Sequence, residues 1–175
     1  MRVTVFGGSS PKPGQQAYLE AQRLGGLLGA AGHTVLTGGY IGTMEAVSRG
    51  AAESGGHVIG VTCDEIEAWR PVSPNAWVQE EMRFPTLRER LAALIDNCEA
   101  AIALAGGIGT LAEVAVMWSN LQTSVISARP LILVGPGWDT LIKQMYAVFD
   151  AYIPEQHRTC LGFARDIDEA VALLG

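Results

Sequence analysis

The chain has 175 residues, a length that predicts one domain over residues 1–175. Its net charge of −6 at pH 7, without a basic run, argues against a nucleic-acid partner, and no apolar run approaches the roughly 18 residues that a membrane span requires. Hydrophobic residues make up 49% of the chain and charged residues 17%, a balance that favours a buried subunit interface, so we expect a homodimer or a larger homo-oligomer.

The first half of the chain alternates short apolar runs with helical patterns. Strands are predicted at residues 2–6, 34–37 and 57–61, and helices at residues 15–31 and 43–54. Gly32 occupies the position after the first helix at which glycine commonly ends a helix. Residues 62–84, with Pro71 and Pro74, are the least regular stretch, and we expect a loop there that forms a lid or an edge element.

The second half continues this alternation. Helices are predicted at residues 85–97, from residue 110 onward, at 138–150 and at 166–174, and strands at 100–104, 130–134 and 160–163. Asp166 is the expected N-cap of the last helix. Strands that alternate with helices form βαβ units, whose right-handed crossovers cover both faces of a sheet. The sequence therefore predicts an α/β fold with a doubly wound, mostly parallel sheet and helices on both faces.

The cysteines favour free thiols. Cys63, Cys98 and Cys160 lie far apart, and the chain has no CxxC pair and no His/Cys cluster, so we expect neither a disulfide framework nor a zinc site. Free thiols are typical of a reducing compartment, and we predict a cytoplasmic location.

A glycine-rich corner follows the strand at 100–104 and leads directly into a helix. It contains Gly106, Gly107, Gly109 and Thr110. A strand that passes through glycines into a helix directs the first free N–H groups of that helix at one point, which suits an anion, usually phosphate. The spacing matches neither GxGxxG nor GxxxxGK[ST], so by itself it indicates a cradle for phosphate or another polar group.

A second corner repeats this order earlier in the chain. After the strand at 34–37 it contains Gly38, Gly39, Gly42, Thr43 and Met44. We interpret the two corners as jaws of one nucleotide site, although strand-to-helix turns also favour glycine without any ligand. In the common doubly wound order the first strand lies beside the strand at 100–104, so Ser9 and Ser10 open onto the same crevice. We expect their hydroxyls to contact the ligand.

Residues 105–113, AGGIGTLAE, resemble the PGGxGTxxE signature of the LOG family, whose members were long labelled possible lysine decarboxylases. Many of its members resemble cytokinin riboside 5′-monophosphate phosphoribohydrolases. The likeness extends to residues 5–10, 38–44 and 55–61. The chain departs from the family pattern at Gly7, at Leu91, where the family has lysine, and at Ala105, where it has proline.

The resemblance implies a Rossmann-like fold, a homodimer, and hydrolysis of the N-glycosidic bond of a nucleoside 5′-monophosphate to a free base and ribose 5-phosphate. It implies no metal and no redox cofactor. The catalytic arginine and glutamate of the family fall on Arg90 and Glu113. A related branch includes proteins that resemble molybdenum-cofactor carriers, so a non-catalytic carrier of a nucleotide or pterin is the second hypothesis. We expect contacts to the base from residues 62–84 and from a partner subunit.

Each catalytic candidate has a structural alternative. Glu113 would stabilise an oxocarbenium-like ribose and deprotonate water, but its spacing from Thr110 also fits a helix capping box. Arg90 would bind phosphate or hold Glu113, and its alternative is a solvated helix position. Lysine decarboxylation is disfavoured, because that chemistry usually needs pyridoxal phosphate on a lysine, and neither Lys12 nor Lys143 lies in a suitable strand-end motif.

Overall fold

A parallel sheet of seven strands organises the computed structural model, which describes residues 1–175. Its strands are β1 (Arg2–Phe6), β2 (Thr34–Thr37), β3 (Val58–Cys63), β4 (Glu80–Phe84), β5 (Ala100–Ala103), β6 (Leu131–Val134) and β7 (Gly162–Ala164). They lie in the order β4-β3-β2-β1-β5-β6-β7, and every neighbouring pair is parallel. The predicted α/β class and the neighbouring positions of β1 and β5 are therefore confirmed.

Eight α-helices connect the strands or follow them. They are α1 (Gln16–Ala30), α2 (Thr43–Glu53), α3 (Asp64–Trp69), α4 (Leu87–Asp96), α5 (Ile108–Gln122), α6 (Pro136–Val148), α7 (Glu155–Arg158) and α8 (Ile167–Ala172), with a 3-10 turn at Asp150–Tyr152. Asp166 caps α8 as predicted, since its carboxylate accepts a hydrogen bond from the backbone N–H of Glu169 at 2.9 Å. The helix predicted from residue 110 begins two residues earlier, at Ile108.

Two hydrophobic cores cover the two faces of the sheet. One packs Val3 and Val5 of β1 against α1, α2 and α8, and the other packs Phe6 against α4, α5 and α6. Successive strand residues point to opposite faces, so a strand buried on both faces must be apolar at nearly every position. This explains why the central strands were easy to recognise in the sequence.

Residues 62–84 depart from the predicted loop. β3 continues to Cys63, α3 follows at once, and β4 forms the edge of the sheet, so there are seven strands where six were predicted. The sequence of β4, EEMRF, has no apolar run, because an edge strand is partly exposed and carries charged residues. Of the two expected forms, the edge element is the one present. Arg83 of β4 pairs with Asp64 and Glu67 at 2.7 and 2.8 Å, which ties α3 to that edge.

None of the helices combines the length and apolarity that crossing a membrane would demand. Cys63 and Cys98 are buried and Cys160 is partly buried, and all three are free thiols, as expected. The single domain over residues 1–175 and the cytoplasmic location stay predictions.

Candidate active site

Three loops meet at the carboxyl ends of the parallel strands, after β1, β2 and β5. The backbone N–H and the Oγ1 hydroxyl of Thr43 both donate to the carbonyl oxygen of Gly8, at 2.9 and 3.0 Å. A Cβ added at Gly8 would lie 3.3 Å from the Cα of Gly106, so the turn after β1 also touches the corner after β5. The two glycine corners and the serine turn therefore meet at one place, and we call this meeting point the crevice.

Close packing explains the glycines of the corner after β2. Gly42 has a φ of 78°, and a Cβ there would lie 2.5 Å from the carbonyl oxygen of Gly8 and 2.6 Å from Ser9 Cα. A Cβ at Gly38 would overlap the guanidinium of Arg90 and lie 2.5 Å from the sulfur of Met44. These glycines let the backbone approach both the turn after β1 and the Arg90 side chain.

The corner after β5 is open. Added Cβ atoms at Gly107 and Gly109 would meet nothing within 4 Å, and both residues are exposed. α5 has Gly107 as its N-cap and no side-chain cap, so the N–H groups of its first turn are free to bind an oxygen-bearing ligand. Thr110, by contrast, is buried in that turn.

A buried ion pair lies beside this open helix end. The Nη1 of Arg90 is 3.8 Å from Oε1 of Glu113, and the two residues are 5% and 9% exposed. Arg90 also donates from Nε to the carbonyl of Val61 at 2.8 Å and from Nη2 to the carbonyl of Gly38 at 3.1 Å. The alternative of a solvated Arg90 is therefore wrong: α4 places the side chain under the ends of β2 and β3.

Burial raises the pKa of Glu113 to about 7, and the nearby positive charge of Arg90 offsets only part of that rise. At 3.8 Å the pair is too long for a direct hydrogen bond. A carboxyl group that is half ionised near neutral pH suits proton transfer, since general bases work best with a pKa near the operating pH.

The capping-box alternative for Glu113 is also wrong. The N-cap of α5 is Gly107, so Thr110 is the third residue of the helix and cannot begin a capping box with Glu113. A capping box is present instead on α4. There the Thr86 hydroxyl accepts from the Glu89 N–H at 3.2 Å, and the Glu89 carboxylate accepts from the Thr86 N–H at 3.1 Å. This cap fixes the start of the helix that carries Arg90.

Two residues that hold the first corner were not predicted from the sequence. Asn75 donates from Nδ2 to the carbonyls of Gly39 and Tyr40, at 3.0 and 2.9 Å, and its backbone N–H also donates to Gly39, at 2.8 Å. The hydroxyl of Tyr40 accepts from the N–H of Cys63 at 2.9 Å, and its ring lies 5.7 Å from the Arg90 guanidinium carbon. The Pro-Asn pair at residues 74–75 is a turn signal, but nothing local indicates which backbone Asn75 would bind.

The remaining predicted residues lie around the crevice at different depths. Ser9 is partly buried and accepts a hydrogen bond from Nη1 of Arg70 at 3.2 Å, whereas Ser10 is exposed. Met44 is partly buried beside Gly38. The structure thus brings Ser9, both corners, Arg90 and Glu113 to one edge, with Ser10 at its rim.

A cavity of about 750 Å³ opens from the same edge on the other face of the sheet. It reaches Thr43 and Gly106 but neither Arg90 nor Glu113, because it lies between α1, α8 and the loop after β6. Its volume falls in the range of small-molecule pockets. The cavity and the buried ion pair therefore lie on different sides of the glycine corners.

Comparison with known proteins identifies the family. The family model described as "possible lysine decarboxylase" matches residues 44–174. The chain is 33% identical over 176 residues to a rice (Oryza sativa subsp. japonica) protein named as a probable cytokinin riboside 5′-monophosphate phosphoribohydrolase, covering 97% of this chain and 75% of that protein. It is 34% identical over 145 residues to the pyrimidine/purine nucleotide 5′-monophosphate nucleosidase of Escherichia coli K12, covering 77% of this chain but only 31% of that longer protein.

Solved structures share the fold. The molybdenum cofactor binding protein of Rippkaea orientalis superposes with a TM-score of 0.76 at 24% identity, over 98% of this chain and 93% of that one. The molybdenum cofactor carrier protein of Chlamydomonas reinhardtii does so with a TM-score of 0.72 at 22% identity, over 99% and 96%. The family match, over residues 44–174, includes the glutamate of the signature, Glu113. The chain therefore belongs to the LOG family, the family described as possible lysine decarboxylases.

Proposed function

We propose that this protein hydrolyses the N-glycosidic bond of a nucleoside 5′-monophosphate, releasing a free base and ribose 5-phosphate. The observation that carries the proposal is the buried Arg90–Glu113 pair next to the uncapped end of α5. The names of the rice and Escherichia coli relatives support the same reaction class. The reaction needs no resident cofactor in this proposal.

Phosphate binding is assigned to the corners. The free N–H groups at the start of α5 would donate hydrogen bonds to phosphate oxygens, and the open space at Gly107 and Gly109 leaves room for those oxygens. The corner at Gly38, Gly39, Gly42 and Thr43 is buried, and it would support the ribose site from behind by positioning the turn after β1 and Arg90. Asn75 holds that corner in place, so this support is preformed.

Glu113 is the proposed catalytic group. Cleavage of the bond to the base builds positive charge on the ribose, which an ionised carboxylate stabilises, and the same carboxylate takes a proton from the attacking water. Arg90 is proposed to orient Glu113 and to attract the phosphate. Its two hydrogen bonds to backbone carbonyls keep the Arg90 guanidinium from moving closer to the Glu113 carboxylate.

The test is release of ribose 5-phosphate from a panel of purine and pyrimidine nucleoside 5′-monophosphates. We expect wild-type protein to release it, and we expect Glu113→Gln to lose at least about 100-fold in kcat, within the range that general acid–base catalysis contributes. The matched control is Glu155→Gln, the same chemical change at a largely exposed position on α7, which should leave the rate unchanged. Base release by Glu113→Gln at the wild-type rate would rule out Glu113 as the catalyst.

The second candidate is a carrier that binds a nucleotide or pterin without turnover. Leu91 favours it, because the family has a lysine beside the arginine at that position and this chain has none. A carrier would bind ligand saturably and release no ribose 5-phosphate from any member of the panel. The same assay, combined with a binding measurement, therefore separates the two candidates.

We further propose that the chain forms a homodimer or larger homo-oligomer through α5 and its neighbour α6. The only charged residue of α5 is Glu113, which is buried, so the solvent-facing side of this 15-residue helix carries no charge. Exposed apolar side chains lie on both helices: Ile108, Leu111 and Val116 on α5, and Leu141, Met145 and Val148 on α6, with Phe149 directly after α6. Such a face is typical of a subunit interface, and it adjoins the open corner after β5.

A further inference from the structure

Arg70 is an arginine without a carboxylate partner at the crevice. Six other arginines, including Arg83 on the adjacent strand, form ion pairs with acidic side chains, whereas Arg70 forms none. Its Nη1 donates to the hydroxyl of Ser9 at 3.2 Å, and its Nε is buried without any hydrogen-bond partner. The side chain as a whole is partly buried. A guanidinium in this position keeps donors available for an anion.

The contact with Ser9 shows where the positive charge of Arg70 lies in the fold. Ser9 lies in the turn after β1, and the backbone of Gly42 packs directly against it. The same turn touches Gly106 through Gly8. Arg70, which follows α3 at the outer edge of the sheet, therefore reaches inward to the turn that both corners contact. Its positive charge lies at the crevice that the free N–H groups of α5 also border.

A purely structural role accounts for the contacts of Arg70 less well than anion binding does. Its guanidinium carbon lies 5.6 Å from the ring of Trp69, but Trp69 is 78% exposed, so the contact is weak. A neutral hydroxyl is a poor partner for a partly buried charge, and leaving a buried donor unpaired costs free energy. A phosphate would compensate the partly buried charge, and because Nε itself is buried, the phosphate would meet the guanidinium through its Nη atoms.

We propose that Arg70, together with Ser9, binds the phosphomonoester group of the ligand at the wall of the crevice formed by the turn after β1. This proposal rests on the proposed function in taking a nucleotide as the ligand. Arg70 would thereby determine specificity for a 5′-phosphate over the corresponding nucleoside. It is a binding residue and takes no part in proton transfer at Glu113.

The experiment measures equilibrium binding of ribose 5-phosphate and of ribose by calorimetry, next to the KM and kcat of the best nucleotide substrate. We expect Arg70→Gln to weaken ribose 5-phosphate binding about 10- to 100-fold, the range for one charge-assisted hydrogen-bonding group, and to raise KM similarly with kcat changed less than about threefold. Arg70→Lys should restore part of the affinity, because it keeps the charge and loses the fork. The matched control is Arg2→Gln, which removes the same charge at the amino end of the central strand β1, away from the carboxyl ends where the candidate site lies.

Equal binding of ribose 5-phosphate by Arg70→Gln and Arg2→Gln would overturn the assignment and leave the proposed hydrolysis standing. An Arg70→Gln protein that binds ribose 5-phosphate weakly but cleaves nucleoside and nucleotide with equally reduced kcat would indicate a structural role and also overturn it. Conversely, Arg70-dependent binding of ribose 5-phosphate by a wild-type protein that releases no base would support this proposal and refute the hydrolase. If Arg70→Gln does not fold, the comparison of wild type with Arg70→Lys decides, since only phosphate binding predicts a selective loss for the phosphorylated probe.

Discussion

Replacing Glu113 by glutamine should stabilise the fold at alkaline pH while it removes activity. The glutamate is buried beside a single positive charge, and burial holds its pKa at about 7 against the ordinary 4.5. Ionising this side chain is therefore harder in the folded chain than in the unfolded chain. Glutamine has nearly the same shape as the protonated acid and never ionises, so it avoids that cost.

The magnitude follows from the two pKa values. A difference of about two and a half pH units at about 1.4 kcal/mol each gives a cost of about 3 kcal/mol when the folded-state carboxyl is fully ionised. Because the folded-state pKa of Glu113 is raised, the stability linked to its proton is fully present below about pH 4.5 and is lost as pH rises through about 7. The free energy of unfolding of Glu113→Gln should thus exceed that of wild type by about 3 kcal/mol at pH 8 and by less than about 1 kcal/mol at pH 5.

Urea denaturation of wild type and Glu113→Gln at pH 5 and pH 8 measures this directly. For a chain of this size the gain at pH 8 corresponds to a Tm higher by roughly 6–12 °C. Glu155→Gln, the exposed control, should change stability little at either pH. A Glu113→Gln protein that is equally or less stable than wild type at both pH values would refute the reasoning, because the carboxylate would then be better solvated in the fold than its burial indicates.

Three further predictions concern the candidate site, and a fourth concerns the proposed subunit interface on α5. Base release should rise with pH to a plateau above about pH 7 and fall about tenfold per pH unit below it, since the ionised form of Glu113 is the active one. Gly38→Ala should fold but lose about 10- to 100-fold in kcat, because its Cβ displaces the Arg90 guanidinium. Asn75→Ala removes the hydrogen bonds that hold the corner after β2. It should lower the free energy of unfolding in urea by about 1–3 kcal/mol and raise KM. Val116→Glu should convert an oligomer to monomer in light scattering, because it places a charge on the uncharged face of α5.

Each of these has an outcome that contradicts it. A pH–rate profile that is flat between pH 5 and 8 would show that ionisation of Glu113 does not control the rate of base release. Wild-type kcat in Gly38→Ala would show that the position of Arg90 is unimportant. Unchanged stability and KM in Asn75→Ala would mean that the corner holds its shape unaided. An unchanged mass for Val116→Glu would place the subunit interface elsewhere or exclude one.

How far the sequence predicts the fold depends on the location of each element. β1 and β2 were predicted with their observed bounds, because buried strands carry continuous β-branched and apolar residues. β4 was not recognised, because an edge strand with the sequence EEMRF lacks that pattern. α5 was placed two residues late, since glycines at Gly107 and Gly109 lower local helix propensity but tolerate the first turn.

The candidate site was predicted in outline and decided in detail by packing. The glycine corners were visible as local spacing, and the family signature directed attention to Glu113. From the spacing of Thr110 and Glu113, the glutamate could be either a capping residue or a catalytic residue. The capping role was excluded only by the structure, in which α5 begins at Ile108. For Arg90, sequence neighbours suggested solvent, whereas contact with two strand ends buries it.

The sequence by itself determined the alternating α/β architecture and the positions of the glycine turns, because hydrophobic period and backbone freedom are properties of a few adjacent residues. Only the tertiary structure decided that Arg90 meets Glu113, that Asn75 holds the first corner and that Arg70 reaches Ser9. Those contacts join residues far apart in the chain. Their partners, burial and charge state depend on how the sheet brings separate loops to one edge, which no local pattern encodes.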